Sequence, residues 1–246
     1  MKSAFLSVVL LLAAGVWAQE AKPAAPAAPP TQAAPAEQSK RQVIAQASDR
    51  PDSGRVANDL YTSDFFGFSL SLPKGWEVED SAALRKSVDE NLQKLYGSDP
   101  QGQAAGQEAA ARAFMLLSAQ GRVEMEAVPS QVQVAAERLP EDAGVQSGKD
   151  YLDAVGAVPP LAGLELKPLH PPAEVRLGGQ PFWRQDYSAS TTINGKPVAI
   201  SYAEYVSIQK GYALILSFWT DTPEHLAALE KYADSVKFAA PAEPPK

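Results

Sequence analysis

No cysteine occurs anywhere in the 246-residue chain. That excludes a disulfide framework, a thiolate metal site and a cysteine nucleophile. Only two histidines are present, His170 and His225. A multi-histidine metal cage is therefore excluded, and any Ser-His-Asp system must use one of these two. Basic residues are scarce relative to acidic ones, 22 against 29, for a formal net charge of −7. Nucleic acid is not expected as a partner, because phosphate binding needs clustered Lys and Arg. Long apolar runs are lacking as well. The one at residues 3–16 falls short of the about 20 residues that a spanning helix needs.

What is present begins with that short run. Lys2 precedes it, Val8, Val9, Leu10, Leu11 and Leu12 lie within it, and Val16-Trp17-Ala18 closes it before Gln19 and Glu20. A basic start, an apolar middle and a small residue at the end make the three-part pattern of a secretory signal peptide, with cleavage expected between Ala18 and Gln19. No cysteine follows, so a lipid-modified N-terminus is not expected. The mature chain is expected outside the cytoplasm, periplasmic or secreted, with no transmembrane segment. An exported chain without disulfides must stand on its hydrophobic core alone.

Composition then divides the chain. Residues 19–40 hold 8 Ala and 5 Pro, a mixture that favours extended conformations and cannot pack a core. Residues 41–59 remain polar. The expected layout is a signal peptide at 1–18, a disordered Ala/Pro-rich linker at 19–59, one domain at 60–238 and a disordered tail at 239–246.

Within the domain, Phe68, Leu70 and Leu72 alternate with serines, which predicts a half-buried strand. Pro73-Lys74-Gly75 predicts a turn, with a short strand opening at Trp76 and Val78. Leu84, Val88, Leu92 and Leu95 recur at helical spacing over residues 81–96. The run at 113–119, apolar but for Ser118, predicts a central strand. Val123, Met125 and Ala127 alternate with polar residues, as do Val132, Val134 and Ala136. Ser147-Gly148-Lys149-Asp150 resembles a capping box opening a helix that buries Tyr151, Leu152 and Val155. From Val175 onward the pattern is a meander. Gly178-Gly179, Asn194-Gly195 and Lys210-Gly211 predict turns, and strands are predicted at 182–189, 198–208 and 212–219. Thr222-Pro223-Glu224 predicts a final helix start, with Leu226, Leu229, Ala233 and Val236 as its buried stripe. Hairpins rather than crossover helices join the strands, so the fold class expected is α+β: a largely antiparallel sheet flanked by helices.

The two ends of the domain carry a resemblance. The opening runs from Tyr61 through Phe65-Phe66-Gly67-Phe68 to Pro73-Lys74-Gly75-Trp76. The closing contains Gly211-Tyr212-Ala213-Leu214 and ends on Ser235-Val236-Lys237-Phe238, with Leu177-Gly178-Gly179-Gln180-Pro181-Phe182 between. Over residues 61–238 this resembles the PsbP-like family, which includes exported bacterial proteins and the extrinsic PsbP subunit of photosystem II. The resemblance implies an α/β/α sandwich and a binding or assembly role rather than catalysis. It brings no catalytic motif, and a photosynthetic role is not transferred.

The search for chemistry returns little. There is no Gly-x-Ser-x-Gly elbow. His170 precedes Pro171-Pro172 in an extended loop, and His225 lies in the first turn of the last helix. The carboxylate pairs Asp49/Asp52 and Glu124/Glu126 read as linker and as a solvated strand face. Glu137, Glu141, Asp142, Asp186 and Glu204 are possible members of a carboxylate pair that meets only in space, and surface positions explain them more simply. Gly178-Gly179 joins two strands rather than opening a helix, so it is no phosphate loop. Aromatics concentrate in the meander. Trp183, Tyr187, Tyr202 and Tyr205 make a binding face if exposed, and ordinary sheet core if buried.

The functional expectation is an exported, non-catalytic binding or assembly domain acting on a protein or cell-envelope partner. The alternative is a carrier that encloses a small ligand in an aromatic-lined pocket. A hydrolase is the third reading. No catalytic residue, cofactor or metal ligand is assigned, and the chain is expected to be a monomer.

Overall fold

The computed structural model describes residues 50–80, 111–121, 130–140, 144–156, 165–193 and 196–239. The signal peptide and its cleavage point, residues 19–49, the helix expected at 81–96, the alternation at 123–127, Glu141, Asp142 and residues 240–246 of the expected tail lie outside the described residues.

Two sheets carry the fold. The first strands are β1 (Arg55–Ala57), β2 (Leu60–Ser63) and β3 (Phe68–Ser71). They pair in order with β12 (Lys237–Phe238) to make a small antiparallel sheet. The large sheet has the order β4-β5-β6-β11-β10-β9-β7, with β8 also on β9. Its members are β4 (Glu77–Val78), β5 (Ala113–Gly121), β6 (Ser130–Arg138), β7 (Glu165–Pro168), β8 (Ala173–Leu177), β9 (Gln180–Ile193), β10 (Lys196–Gln209) and β11 (Tyr212–Thr220). Every pairing in it is antiparallel. Helix α1 (Gly148–Gly156) lies on one face, against β10 and β9. The small sheet and helix α2 (Pro223–Glu230) cover the other. This is the α+β class expected.

Local chemistry accounts for the elements. Gly178 and Gly179 both have positive φ, at 56° and 83°. They join Leu177 to its partner Gln180 in the mirror-image turn that matches strand twist. Lys210 and Gly211 (53° and 78°) do the same between Gln209 and Tyr212. Asn194-Gly195 lies outside the described residues, but its neighbours Ile193 and Lys196 are paired. Helix α1 opens on a true capping box. The Ser147 N–H donates to Asp150 Oδ2 at 2.9 Å, and the Asp150 N–H donates to Ser147 Oγ at 3.2 Å. At α2, Thr222 Oγ1 accepts from the His225 N–H at 3.2 Å, ahead of Pro223 in the first turn.

Two expectations need correction. The fold begins before residue 60. Asn58 and Asp59, both at positive φ, turn β1 back onto β2, so part of the expected linker is a strand. The run at 113–119 is not central either. β5 is second from the edge, and β11, buried at all nine positions, occupies the centre. The register slips between Met115 and Leu117. A bulge of this kind turns Phe114 and Leu117 to the same face despite their odd spacing, which makes a half-patterned strand read as an apolar run. The main core lies between the sheets, with Tyr61, Phe68, Leu70, Leu117, Val134, Phe182, Leu214, Leu216 and Phe218 all buried.

Candidate functional site

The core face is mainly apolar. The opposite face of the large sheet, which carries α1, is layered in cross-strand rows. Under α1 the row is apolar: Met115, Ala135, Ile215, Val206 and Trp183 are successive partners. The next row along the strands is polar throughout: Ser118 pairs with Gln133, Gln133 with Ser217, Ser217 with Glu204, and Glu204 with Gln185. The row beyond joins Gln120, Gln131, Trp219, Tyr202 and Tyr187. All five members of the polar row are buried, as are the last four of the third.

Such a band is costly unless its hydrogen bonds are made. Some are. Gln133 Nε2 donates to Gln131 Oε1 at 3.1 Å, and Gln131 Nε2 donates toward Gln120 Oε1 at 3.5 Å. The Tyr202 hydroxyl meets Ser217 Oγ at 3.3 Å. Gln185 turns its amide to the backbone oxygens of His170 and Asp186. Others are not. Gln133 Oε1, Ser118 Oγ and Trp219 Nε1 are buried without a partner among the described residues, and so is Glu137 Oε1 on the α1 side. Tyr187, Tyr202 and Trp219 stack in sequence, with centroids 5.3 and 4.0 Å apart.

Glu137 and Glu204, expected as surface, are only 2% and 5% exposed. Burial pushes the Glu137 carboxyl up to about 7; the Tyr151 hydroxyl, donating to its Oε2 at 2.7 Å, and the charge of Arg112 pull the other way. Burial likewise pushes Glu204 up to about 7, against a hydrogen bond from Tyr202. Tyr151, Tyr187 and Tyr202 are raised by the same desolvation. Carboxyls poised near neutrality in a buried polar setting are marks of a functional site.

The four aromatics singled out from sequence do not form one exposed face. Tyr187 and Tyr202 belong to the buried band, and Trp183 packs, partly buried, on the α1 cluster. Tyr205 lies three residues from Tyr202 and so points into the opposite core, edge-on to Phe218 at 5.7 Å. Sequence reasoning named Glu137 and Glu204 but placed them on the surface, and it missed the glutamines of the band. The available signal was in β10, where Tyr202, Glu204, Val206 and Ile208 share a face with no second charge among them.

A second polar cluster lies on the core side of β9. Arg184 grips Asp186 with two hydrogen bonds, at 2.7 and 2.9 Å, and reaches Glu230 of α2 at 2.7 Å. The Tyr205 hydroxyl also donates to Glu230, at 2.8 Å. His170 places Nε2 2.9 Å from Asp186 Oδ2 and Nδ1 2.9 Å from the Pro171 carbonyl oxygen. Both ring nitrogens face acceptors and neither meets a hydroxyl, so this is a clamp on the β7–β8 turn rather than a catalytic dyad. The Pro171 carbonyl and Asp186 raise the His170 pKa above its ordinary value. The clamp is therefore fully made in acid and lost as pH rises through the raised pKa. An NMR titration is expected to place His170 above 6.5, and Asp186→Asn to lower it. An unchanged midpoint in that variant rules the clamp out. His225 Nδ1 faces Asp221 Oδ1 at 2.7 Å. Among the described residues no group of three or more His, Asp or Glu side chains could hold a metal ion, and no helix is long and apolar enough to cross a membrane.

The fold and the band define an α+β domain with a large antiparallel sheet layered between a helix and a smaller sheet. In structure the chain is similar to the cyanobacterial PsbP, CyanoP, of Synechocystis sp. PCC 6803. Identity is 13% and the TM-score 0.43, over 76% of this chain and 96% of that one. It is similar also to LpqN of Mycobacterium tuberculosis, described as involved in cell envelope biogenesis. There identity is 13% and the TM-score 0.39, over 70% and 83% of the two chains. A third likeness is to PA94 of Pseudomonas aeruginosa, a protein of unknown function described as a putative regulator. Its identity is 12% and its TM-score 0.31, over 72% and 92%. These likenesses are of fold, and no function is read from them. No family model matches the chain, and no curated protein matches it.

Proposed function

We propose that the chain is an exported, non-catalytic binding domain, and that it binds through the polar band of its large sheet. The observation that carries this reading is the set of buried polar atoms left without partners on one face: Gln133 Oε1, Trp219 Nε1, Ser118 Oγ and Glu137 Oε1. Native proteins leave few such atoms unsatisfied, and each asks for an explanation. A ligand that completes their hydrogen bonds is one. Because protein atoms already cover the band, a ligand reaches it only where that cover opens, which suits a small molecule better than the flat surface of a second protein. The band offers hydrogen-bonding groups and carboxyls, but no histidine, lysine or activated hydroxyl among its described residues, so binding describes it better than group transfer.

A protein partner is the second reading, favoured by a different observation. Val56 and Leu60, at 39% and 41% exposure, are two of the few large apolar side chains exposed among the described residues. Val56 lies on β1, the edge strand of the small sheet among the described residues, and Leu60 on its neighbour β2; at that edge an extended segment can add as a further strand.

One experiment separates the two. Full-length chain is purified from its own host under gentle conditions and weighed by native mass spectrometry. The expected result is a small-molecule mass increment that disappears in Gln133→Leu, together with an N-terminal peptide beginning at Gln19. A bare mass, or a polypeptide adduct that Val56→Asp removes, overturns the small-ligand reading.

A further inference from the structure

We propose that the end of the domain carrying the β10–β11 turn is a basic pole that docks on an anionic phospholipid surface. This goes beyond the reading just given and uses none of the residues of the band.

The chain as a whole is acidic, yet its cations are not spread evenly. One end of the two sheets gathers the β10–β11 turn, the start of β5, the end of β6, the β2–β3 loop and the β8–β9 turn. There Arg50, Arg55, Arg138, Arg176, Lys210 and Lys237 are all exposed. Arg55 meets an acid, Asp64. The other five have no ion pair among the described residues. Asp52 and Asp64 are the exposed acids on these segments. The opposite end reverses the sign. Asp59, Glu77, Asp80 and Glu224 are exposed there, against Lys74 among the described side chains. Such an asymmetry turns the basic end toward a negative surface although the whole molecule is negative. Residues 19–49 join the domain at this end. They carry Lys22, Lys40 and Arg41 against Glu20, Glu37 and Asp49, so they do not cancel its charge.

The cations are held on rings. Arg50 lies 5.0 Å from the centre of Phe114, and Lys210 5.1 Å from that of Phe65. Lys210 also donates to the Phe65 carbonyl oxygen. Both rings meet Tyr212 edge-on, at 6.1 and 5.6 Å, and Tyr212 is the strand partner of Arg138. Phe65 and Phe114 are half-buried. Rings beside Lys and Arg suit the headgroup region of a bilayer, which accepts both. A protein partner fits less well, because a protein interface is built on an apolar core. The exposed large apolar side chains are Val56, Leu60, Val78 and Leu169. None of them lies on the β2–β3 loop, the β10–β11 turn or the β5 and β6 ends that carry the cations.

The test is flotation of the full chain, purified from its host, with two kinds of vesicle: phosphatidylcholine alone, and phosphatidylcholine with about 30% phosphatidylglycerol. Binding is expected to the anionic vesicles only, and to fall at least about tenfold when salt rises from about 0.05 to about 0.5 M. Each Lys or Arg at such a surface changes partitioning by about fivefold. Arg138→Gln combined with Lys210→Asn is therefore expected to weaken binding by about 25-fold. Asparagine tolerates the positive φ of position 210, so the turn is kept. Glu77→Gln with Glu224→Gln, at the acidic end, is expected to leave binding within about twofold. Gln133→Leu is expected to change nothing, so the pole and the band are judged separately. Equal binding to neutral vesicles would show apolar insertion and overturn the proposal. Anionic binding that survives the Arg138/Lys210 double variant would place the surface elsewhere and overturn it too. Soluble poly-glutamate bound while vesicles are not would assign the pole to an acidic polypeptide instead. No binding to either would leave the pole without an anionic partner and sink the idea.

Discussion

Glu204→Gln is expected to stabilise the domain by ~3 kcal/mol at about pH 8 while leaving it almost unchanged at about pH 4. The reason is the cost of a buried charge. In the unfolded chain this carboxyl has its ordinary value of 4.5, and in the fold burial pushes it up to about 7. A folded-state pKa above the unfolded one means that the folded state holds its proton longer. The stabilising difference is complete below 4.5, decays as pH rises, and is gone above about 7. Glutamine keeps the shape and a hydrogen-bonding oxygen but never ionises, so it escapes that loss. Glu137 shares the same direction, and Glu137→Gln is expected to flatten the remaining slope. Urea unfolding followed at several pH values measures both. A wild-type stability that does not fall between acid and neutral pH would show that neither carboxyl carries its burial into the fold.

The consequence joins stability to function. A residue whose removal stabilises a protein is retained for something other than stability. If the band binds a ligand through Glu204, the pH slope of wild type changes when that ligand is bound. A structural role for Glu204 alone would leave the slope as it is.

The parts of this structure legible in the sequence are those whose causes are local. The β8–β9 and β10–β11 hairpins were visible because Gly178-Gly179 and Lys210-Gly211 suit paired positive φ angles. The α1 cap was visible in Ser147 and Asp150, and the α2 start in Thr222 and Pro223. The β1–β2 turn was not, because Asn58-Asp59 carries no glycine and sits among polar residues that read as linker. β5 was placed too centrally because its bulge joins two strand faces into one apolar run. The band was hidden for a different reason. Ser118, Gln133, Gln185, Glu204 and Ser217 come from five strands, and only the register of the folded sheet sets them in a row. Alternation along one strand divides its residues between two faces. It does not tell which face is covered, and so Glu204 read as surface.

Gly148→Ala is expected to destabilise the domain by ~3 kcal/mol or more, although alanine is the better helix former by about 1 kcal/mol. The two effects oppose each other, and distance decides between them. A Cβ at Gly148 would sit 2.2 Å from the Val206 carbonyl oxygen and 3.2 Å from Trp183 Cβ. The first neighbour is backbone in the interior of β10 and cannot move without disturbing the sheet. Helix α1 must therefore lift at its N-terminal end. Lifting it draws Tyr151 away from Glu137 Oε2 and opens the apolar cluster of Ala135, Val206, Ala213 and Ile215 beneath. The Glu137 carboxyl then loses the Tyr151 donor while staying under the helix, which adds a desolvation cost of about 1–3 kcal/mol. Lys149→Ala is the control, one residue away on the exposed face. It removes only an ion pair with Asp153, and such pairs contribute about 0–1 kcal/mol. Chemical unfolding of the two variants side by side measures the difference, and amide exchange of Tyr151 shows whether the helix has moved. If Gly148→Ala is as stable as wild type, α1 does not rest on β10 as closely as Gly148 allows, and the cover of the Glu137 end of the site must be reassigned.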